Sequence, residues 1–403
     1  MTTTPSHASY SELATSFVAT VPDHATPTDC PTTLTGALHL INGEHYSGAE
    51  RVQDLLGLSL DKFGYQVSFA ALKDGKFAAN RRSTCDFHLE LMRGRWDWGI
   101  TGRLLQLVES QDFKILHAHT PRTLMVGAAL AKRTGLPLVY HVHSPVGRDS
   151  TRWLQNKINL LVERRSLRQA AHLIAVSDSV GQYMNEMGYG NDRLTVVPNG
   201  VPVVSTETRT ALAAQKTWTS PWQTTLGTVA LFRPRKGTEI LLQALARWKA
   251  AGRDIGVLAV GGFETEAYQA HLKQLTQQLG IEDRVHWTGF TRDVNSYFPS
   301  MDIFVLPSLF GEGLPMVVLE SMAMGIPVVA SDVEGIQQAI RDRIDGRIAR
   351  PGDVDSLAQI IPQMVDTVNL QEMGESAALR QRESFSDLSM CRATAAVYDR
   401  LLK

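Results

Sequence analysis

Short apolar runs recur along the chain, and a stretch with apolar residues at helical spacing follows most of them. The runs are almost continuously apolar, which is typical of strands covered on both faces of a parallel sheet. Strands that alternate with helices in this way predict an α/β fold. In the first half of the chain the predicted strands are 37–41, 65–72, 113–119, 136–143, 172–177 and 194–200.

The alternation starts again after a polar interruption, which predicts two doubly wound, Rossmann-like domains. We place the N-terminal domain at 35–201, a linker at 202–224 and the C-terminal domain at 225–384. Residues 1–34 show no period and predict a flexible extension, and 385–403 predicts a final helix beyond the second domain. The second half has predicted strands at 226–232, 255–262, 284–290, 301–308 and 326–332, and helices at 237–250, 265–279, 315–324 and 354–367.

The 403 residues carry 40 basic and 41 acidic side chains, so the formal net charge is -1. This balance gives no overall electrostatic reason for nucleic-acid binding. Three scattered cysteines form no CxxC pair, which argues against a disulfide framework or a zinc site and favours a reducing compartment. The sequence contains neither a secretory signal pattern nor an apolar run of about 20 residues that could cross a bilayer. We therefore expect a cytoplasmic protein, either soluble or attached to the inner face of the membrane.

A basic and aromatic stretch between 81 and 98 could dock an anionic membrane or a glycan. Taken alone, the stretch fits ordinary surface and core positions better. Its residues are Arg81, Arg82, Arg93, Arg95, Trp96 and Trp98.

The segment FGEGLPMVVLE places Glu312 and Glu320 on either side of a predicted helix start. Gly313 lets the backbone approach a ligand, and Pro315 suits a first helical turn, where the N–H groups lack partners. Those free N–H groups favour an anionic or hydroxyl-rich ligand. An ionised Glu320 can accept two hydrogen bonds from a vicinal diol such as a ribose. A pair of solvated glutamates at a helix start remains the alternative.

The segment FRPRKG ends another predicted strand and brings Arg233, Arg235 and Lys236 together before Gly237, where a helix begins. Cations beside a helix N-terminus form a phosphate site, because Arg gives forked contacts and Lys supplies a compact charge. Plain surface exposure would also explain a basic cluster, so this segment alone is not decisive.

Two further features lie in the first half. A strand, a loop that includes Gly48 and a helix resemble a phosphate-binding turn, although the glycine pattern is weak. His117 and His119 end one predicted strand, and His141 and His143 end the next, so each pair shares one face of the sheet. A metal site is conceivable, but neighbouring carboxylate or cysteine partners are missing, and a core or polar-network role is favoured.

Taken in order, these motifs resemble those of the retaining GT-B glycosyltransferases of family 4. EGLPMVVLE resembles the E-x7-E signature, FRPRKG the RxxKG element, SGAERV the glycine-rich first loop and VYHVHS the first-domain histidine strand. IAVSDS, VVPNGV, WTGF and ARPGDVDSLA follow in the family's order, so the resemblance spans residues 36–403. Ser47 and Phe232 stand where the family often has glycine, and neither departure removes a charged group.

The resemblance implies roles for the charged residues of these motifs. Arg233 and Lys236 would hold the donor diphosphate and stabilise charge on the departing nucleotide. Glu320 would bind the ribose. Glu312 would face the transferred sugar, together with the following backbone, which consists of Gly313, Leu314 and Met316.

The remaining roles implied by the resemblance concern the domain interface and the reaction. Gly48 would let the first domain close on the phosphates, His143 would support the sugar or the acceptor, and Phe290 would lie near the nucleobase. The final helix would cross back to the first domain. Transfer of a hexose would retain the anomeric configuration without a metal ion or another cofactor, since the nucleotide sugar, UDP- or GDP-linked, is a co-substrate.

The acceptor is expected to be a glycan, a lipid-linked compound or a small molecule, and no nucleic-acid partner is expected. Two alternatives stay open. A non-catalytic nucleotide-sugar binder would share the site but not the reaction, and a GT-B sugar-nucleotide epimerase should lack the ordered pair of FRPRKG and EGLPMVVLE.

Overall fold

The computed structural model describes residues 33–94, 97, 99–144, 164–190, 192–291 and 293–403. The predicted extension, 1–34, therefore lies outside the described residues except for its last two. Arg95, Trp96 and Trp98 of the basic and aromatic stretch also lie outside them.

The first half of the chain forms a seven-stranded parallel sheet in the order β3-β2-β1-β4-β5-β6-β7. The inner strand β5 is buried at every position and β4 at all but Lys114, as their apolar runs predict. The edge strand β3 was not predicted, because it is short and half exposed. The strands are β1 (Thr35–Ile41), β2 (Tyr65–Ala71), β3 (Asp86–Leu89), β4 (Phe113–Ala118), β5 (Leu138–Val142), β6 (His172–Ala175) and β7 (Leu194–Val196).

The second half forms a six-stranded parallel sheet in the order β10-β9-β8-β11-β12-β13. Its inner strands β8 and β9 are buried at every position. The edge strand β13 was also missed by the sequence pattern. The strands are β8 (Thr224–Val229), β9 (Ile255–Val260), β10 (Val285–Gly289), β11 (Ile303–Leu306), β12 (Val328–Ser331) and β13 (Gly346–Ala349).

Helices cover both sheets, and their ends follow ordinary capping chemistry. The helix 121–134, for example, begins after Thr120, whose side chain accepts a hydrogen bond from the Thr123 amide, and ends at Gly135 with φ 72°. The segment predicted as a linker contains the helix 206–214. The α-helices of the described residues include α1 (Gly48–Ser59), α2 (Lys76–Asn80), α3 (Ile100–Ser110), α4 (Pro121–Thr134), α5 (Asp178–Glu186), α6 (Thr206–Ala214), α7 (Thr238–Ala250), α8 (Glu266–Gln278), α9 (Met316–Ala323), α10 (Ile336–Ala339), α11 (Val354–Thr367), α12 (Leu370–Ser384) and α13 (Asp387–Leu402).

Both sheets reverse their strand order in the middle, the first between β1 and β4 and the second between β8 and β11. In open parallel sheets, ligands bind beyond the carboxyl ends of the strands at such a reversal. The predicted doubly wound α/β architecture is confirmed, and its two reversal points contribute the loops described below.

The final helix α13 returns to the first sheet, where it packs on α1. The Tyr65 hydroxyl donates to Asp399 at 2.5 Å, and Tyr398 lies buried beside His39. The last helix thus belongs to the core of the N-terminal domain, as the resemblance implies. Among the described residues, no helix combines the length and the apolar character that crossing a membrane requires.

Candidate active site

The basic segment after β8 is a tight turn that presents its cations to the loop after β11. Gly237 has φ 63°, and a Cβ there would collide with the carbonyl oxygen of Pro307. A residue without a side chain is therefore needed where the two loops meet. The Arg235 guanidinium donates to the carbonyls of Phe310 and Gly311 at 3.1 and 2.8 Å, which fixes the loop that carries the first predicted glutamate.

Lys236 and Glu312 form a buried ion pair at this junction. The Lys236 Nζ lies 2.8 and 3.0 Å from the two carboxylate oxygens, and the Ser308 hydroxyl donates to Oε1 at 2.5 Å. Burial alone would raise the pKa of Glu312, but the charges of Lys236 and Arg235 outweigh it and the pKa is lowered. Burial is also the main cause of the lowered pKa of Lys236. Glu312 is therefore ionised at neutral pH and held in one orientation.

Arg233 points to a different carboxylate. Its guanidinium lies 3.5 Å from Glu264, and its Nε is buried without a hydrogen-bond partner among the described residues. Arg233 and Lys236 thus flank the start of α7 with separate partners. Phe290 follows β10 and is 65% exposed, with the Lys76 ammonium 5.4 Å from its ring centroid. The Phe290 ring, which is expected to lie near the nucleobase, is therefore accessible to solvent in the second domain.

Glu320, the second predicted glutamate, is paired across the cleft with Arg51 of α1. The two side chains make a bidentate contact, with Nη1 3.0 Å from Oε2 and Nη2 bonded to Oε1. The Glu320 side chain is only 9% exposed. The carboxylate assigned to a ribose is therefore engaged by the opposite domain in this structure.

An open pocket adjoins this ion pair. It lies between α1, the segment after β7 and α9. Polar and charged groups in its lining are Tyr46, Arg51, Asp54, Arg82, Asn295 and Glu320.

The glycine of the glutamate loop touches the first domain directly. Gly313 has φ 60°, and a Cβ there would collide with the backbone carbonyl oxygen of His143. Gly48 faces α9, since a Cβ there would lie 3.9 Å from the Met316 side chain. The structure therefore brings Gly48, His143, Gly313 and Met316 to one interface. Because Leu314 and Met316 have buried side chains, only their backbone groups can face a ligand.

Glu334 contacts the glutamate loop, and the sequence did not indicate it. Its carboxylate accepts hydrogen bonds from the backbone amides of Gly311 and Glu312, at 3.0 and 3.1 Å. It does so from a turn in which its own φ is 27°. A carboxylate on these amides shows that the loop attracts an anion or a hydroxyl oxygen. Its position 22 residues downstream, in an irregular turn, carries no sequence signal.

Five histidines, His39, His117, His119, His141 and His143, cluster toward the carboxyl ends of β1, β4 and β5. Ring centroids of His117 and His119 are 4.2 Å apart, and those of His141 and His143 are 4.6 Å apart. Nitrogen atoms of two trios lie within 4.8 Å, one made of His39, His117 and His119 and the other of His119, His141 and His143. Each trio contains a nearly parallel stacked pair, tilted by 23° or 13°, and hydrogen bonds between ring nitrogens join His119 to His39 and to His143. The arrangement suits a hydrogen-bonded network better than a metal centre.

Comparison with known sequences gives the same picture for both domains. A family profile described as Glycosyltransferase Family 4 matches residues 46–204, and one described as Glycosyl transferases group 1 matches residues 223–367. The two matches together contain every predicted site residue, from Gly48 to Glu320.

Similar curated proteins span most of both chains. An MMP α-(1→4)-mannosyltransferase of Mycolicibacterium hassiacum is 27% identical over 72% of this chain and 71% of its own. A phosphatidyl-myo-inositol mannosyltransferase of Mycobacterium leprae is 26% identical, with 73% and 75% covered. A D-inositol 3-phosphate glycosyltransferase of Streptomyces scabiei is 28% identical, with 71% and 68% covered.

Solved structures agree on the fold. Anabaena HepE, crystallised in complex with UDP, superposes with a TM-score of 0.77 at 21% identity, over 91% of this chain and 100% of that one. Sucrose-phosphate synthase from Thermosynechococcus elongatus gives a TM-score of 0.77 at 19% identity, over 91% and 99%. With its paired parallel sheets, its facing loops and both family matches, the chain belongs to the group 1 glycosyltransferases of family 4 and has the GT-B fold.

Proposed function

We propose that the protein is a retaining glycosyltransferase that moves a hexose-type sugar from a nucleoside diphosphate sugar to a hydroxyl acceptor. The observation that carries this proposal is the cationic turn at Lys236, which meets the glutamate loop at Glu312 where the two domains touch. A diphosphate fits the start of α7 beside Lys236 and Arg233, and a ribose fits beside Glu320. The complexes of Anabaena HepE with UDP and UDP-glucose support UDP as a first candidate base, and GDP remains the second.

Catalysis in this proposal rests on positioning and on charge stabilisation. Lys236 and Arg233 neutralise the charge that builds on the departing diphosphate, so no metal ion or other cofactor is needed. Glu312 already accepts from Lys236 and Ser308, which suits orienting a sugar hydroxyl more than nucleophilic attack. The acceptor hydroxyl then attacks from the leaving group's own face, and the anomeric configuration is retained.

The acceptor class is proposed from the relatives' names, which include phosphatidyl-myo-inositol and inositol 3-phosphate as substrates of those proteins. A glycan, a lipid-linked compound or a small polyol fits this set. A cytoplasmic location, with or without attachment to the inner face of the membrane, follows from such a donor and acceptor.

A thermal-shift screen of the purified chain against UDP, GDP, ADP and their sugar conjugates tests the proposal. A donor that binds only the folded state raises the melting temperature in a concentration-dependent way. The shifting sugar nucleotide is then incubated with the enzyme and candidate acceptors. Release of the nucleotide with a new glycoside of unchanged anomeric configuration supports the proposal. A shift without nucleotide release indicates a non-catalytic binder, and interconversion of sugars on an intact nucleotide indicates an epimerase.

A further inference from the structure

A chain of hydrogen bonds links the final helix to His143. The Tyr398 hydroxyl of α13 lies 3.0 Å from His39 Nε2, and His39 Nδ1 lies 3.1 Å from His119 Nε2. His119 Nδ1 lies 3.2 Å from His143 Nε2. We call this set, Tyr398, His39, His119 and His143, the tyrosine–histidine chain. It runs from the C-terminal helix through the sheet to the residue whose carbonyl touches Gly313.

The last link of this chain is an in-line hydrogen bond. The centroids of His119 and His143 are 5.5 Å apart, which exceeds their 3.2 Å nitrogen separation by about one ring width, so both nitrogens lie between the rings. The ring planes differ by only 22°. This geometry places an N–H opposite a lone pair, as a directional hydrogen bond requires.

The rings of the chain are neutral. Burial lowers the pKa of His39 to about 3 and that of His143 to about 4, and burial is the main reason that the pKa of His119 lies well below its ordinary value. A neutral imidazole carries one N–H and one bare nitrogen. If a ring in the chain donates through one nitrogen, it must accept through the other. All N–H groups along the chain therefore point the same way, and only two arrangements exist.

Tyr398 decides between the two arrangements, because its single hydroxyl hydrogen can go to only one of two partners. The hydroxyl lies 2.5 Å from His117 Nδ1 and 3.0 Å from His39 Nε2. Hydrogen bonds donated by O–H are shorter than those donated by N–H. On this ground we assign the hydroxyl as the donor to His117 and as the acceptor of the N–H at His39 Nε2, an assignment that leaves an N–H on His117 Nε2, which has no partner among the described residues.

That choice fixes every ring downstream. His39 Nδ1 is bare and accepts from His119 Nε2, and His119 Nδ1 is bare and accepts from His143 Nε2. His143 then has its hydrogen on Nε2 and a lone pair on Nδ1. The opposite arrangement would leave an N–H on Nδ1 instead.

We propose that Tyr398, acting through His39 and His119, fixes His143 in the tautomer whose Nδ1 accepts a hydrogen bond from a hydroxyl in the cleft. Tyr398 is a positioning residue, since it acts only through the chain. The tyrosine–histidine chain sets the direction of the hydrogen bonds. It does not remove a proton from the cleft, because a proton passed inward would end on buried His117. This inference rests on the proposed function, which gives His143 a sugar or acceptor hydroxyl to bind.

The test compares Tyr398→Phe with Tyr65→Phe in the full chain labelled with 15N-histidine. Tyr65 is a matched control, because its ring centroid lies 4.9 Å from that of Tyr398 and its hydroxyl donates to Asp399, which is not part of the tyrosine–histidine chain. Long-range 15N–1H correlation spectra report which nitrogen of each histidine is bare, and the variant His143→Gln assigns the His143 signals. The wild type and Tyr65→Phe should show a bare Nδ1 at His143, whereas Tyr398→Phe should show a mixture or the reverse.

Activity gives a second readout. With the donor found by the screen above, Tyr398→Phe should lower kcat about tenfold, the equivalent of one hydrogen bond, and change the donor KM less than twofold. If Tyr398→Phe does not fold, His39→Gln breaks the same chain and should give the same spectra and kinetics.

Two results would overturn the inference: an unchanged His143 tautomer in every folded variant, or a stoichiometric metal ion in the purified protein that is lost in His119→Ala. The spectra need no substrate, so failure of the proposed transfer reaction and failure of this inference are distinguishable.

Discussion

Arg51 and Glu320 make a bidentate ion pair between the first turn of α1 and the interior of α9. The pair joins the two domains across the cleft, and it occupies the carboxylate to which we assign the donor ribose. A donor that uses Glu320 must therefore share or displace Arg51. Binding of the donor in the cleft is thus coupled to the contact between the domains.

Removal of Arg51 tests that coupling. Arg51→Ala should tighten nucleoside diphosphate binding about threefold to tenfold, because the ribose no longer competes for a carboxylate held by charged hydrogen bonds. Isothermal titration calorimetry measures the change. Arg209→Ala, which removes another arginine–glutamate contact, to Glu375, is the matched control and should leave affinity unchanged. Weaker binding by Arg51→Ala would mean that the arginine is itself a ligand of the donor.

Lys236→Ala should mainly slow transfer. We assign the ammonium to the departing diphosphate, and loss of such a preorganised charge lowers kcat about 10²-fold to 10³-fold. Donor binding should weaken much less. Initial rates at saturating donor give the comparison, and Lys249→Ala, which breaks the exposed contact with Asp283, is the control. Because Lys236→Ala strands a buried carboxylate, circular dichroism and thermal unfolding of the variant separate a folding defect from a catalytic one. A kcat within threefold of the wild type would remove Lys236 from the mechanism.

The contact between Gly313 and His143 predicts an effect on turnover. Gly313→Ala should lower activity at least tenfold, because its Cβ would meet the His143 carbonyl oxygen and push the domains apart. Gly252→Ala is the control for backbone strain, since Gly252 also has positive φ, 72°, but has open space where the Cβ would stand. If both variants are equally active, the contact between the domains does not matter for the reaction.

The buried histidines predict acid sensitivity. Burial lowers the pKa of His39 from 6.5 to about 3 and that of His143 to about 4, so below pH 6.5 the unfolded chain binds protons that the folded chain does not. The free energy of unfolding should therefore fall as pH drops through this window, by about 1.4 kcal/mol per histidine per pH unit. Urea unfolding at about pH 7.5, 6.5 and 5.5 measures this dependence.

His141→Phe is the matched variant for that experiment. Both ring nitrogens of His141 are buried without partners among the described residues, so an apolar ring should be tolerated at neutral pH. The variant should lose less stability on acidification than the wild type, by the contribution of one histidine. An unfolding free energy that is flat between about pH 6.5 and 5.5 would contradict the neutral, buried state of these rings.

Much of the fold follows from the chain's apolar pattern. β8 and β9 are buried at every position, and such strands produce the continuous apolar runs from which they were predicted. β3 and β13 were missed because short, half-exposed edge strands have no such run. Helix α6, within the predicted linker, has no buried residue, so packing left no periodic signature there.

The residues of the candidate site likewise include some that the sequence predicted and some that it did not. Glu312 and Lys236 were predicted as neighbours of one ligand because the motifs that contain them begin helices after strands and resemble the donor-site motifs of the family, and they lie in direct contact. Arg51 and Glu334 were not predicted. Arg51 meets Glu320 over a separation of 269 residues, and the contact exists only once two domains have folded and met. The direction of the hydrogen bonds from Tyr398 to His143 likewise depends on interatomic distances in the folded protein and not on the spacing of these residues along the sequence.

Titration of UDP and GDP into the wild type, Glu320→Ala and Glu375→Ala by calorimetry tests the central claim most directly. We predict that one nucleotide binds the wild type and the Glu375→Ala control equally, and that Glu320→Ala binds it at least tenfold more weakly, as loss of charged hydrogen bonds to a ribose requires. Equal affinity in all three proteins, or no binding of either nucleotide to the wild type, would contradict the assignment of this cleft to a nucleoside diphosphate sugar.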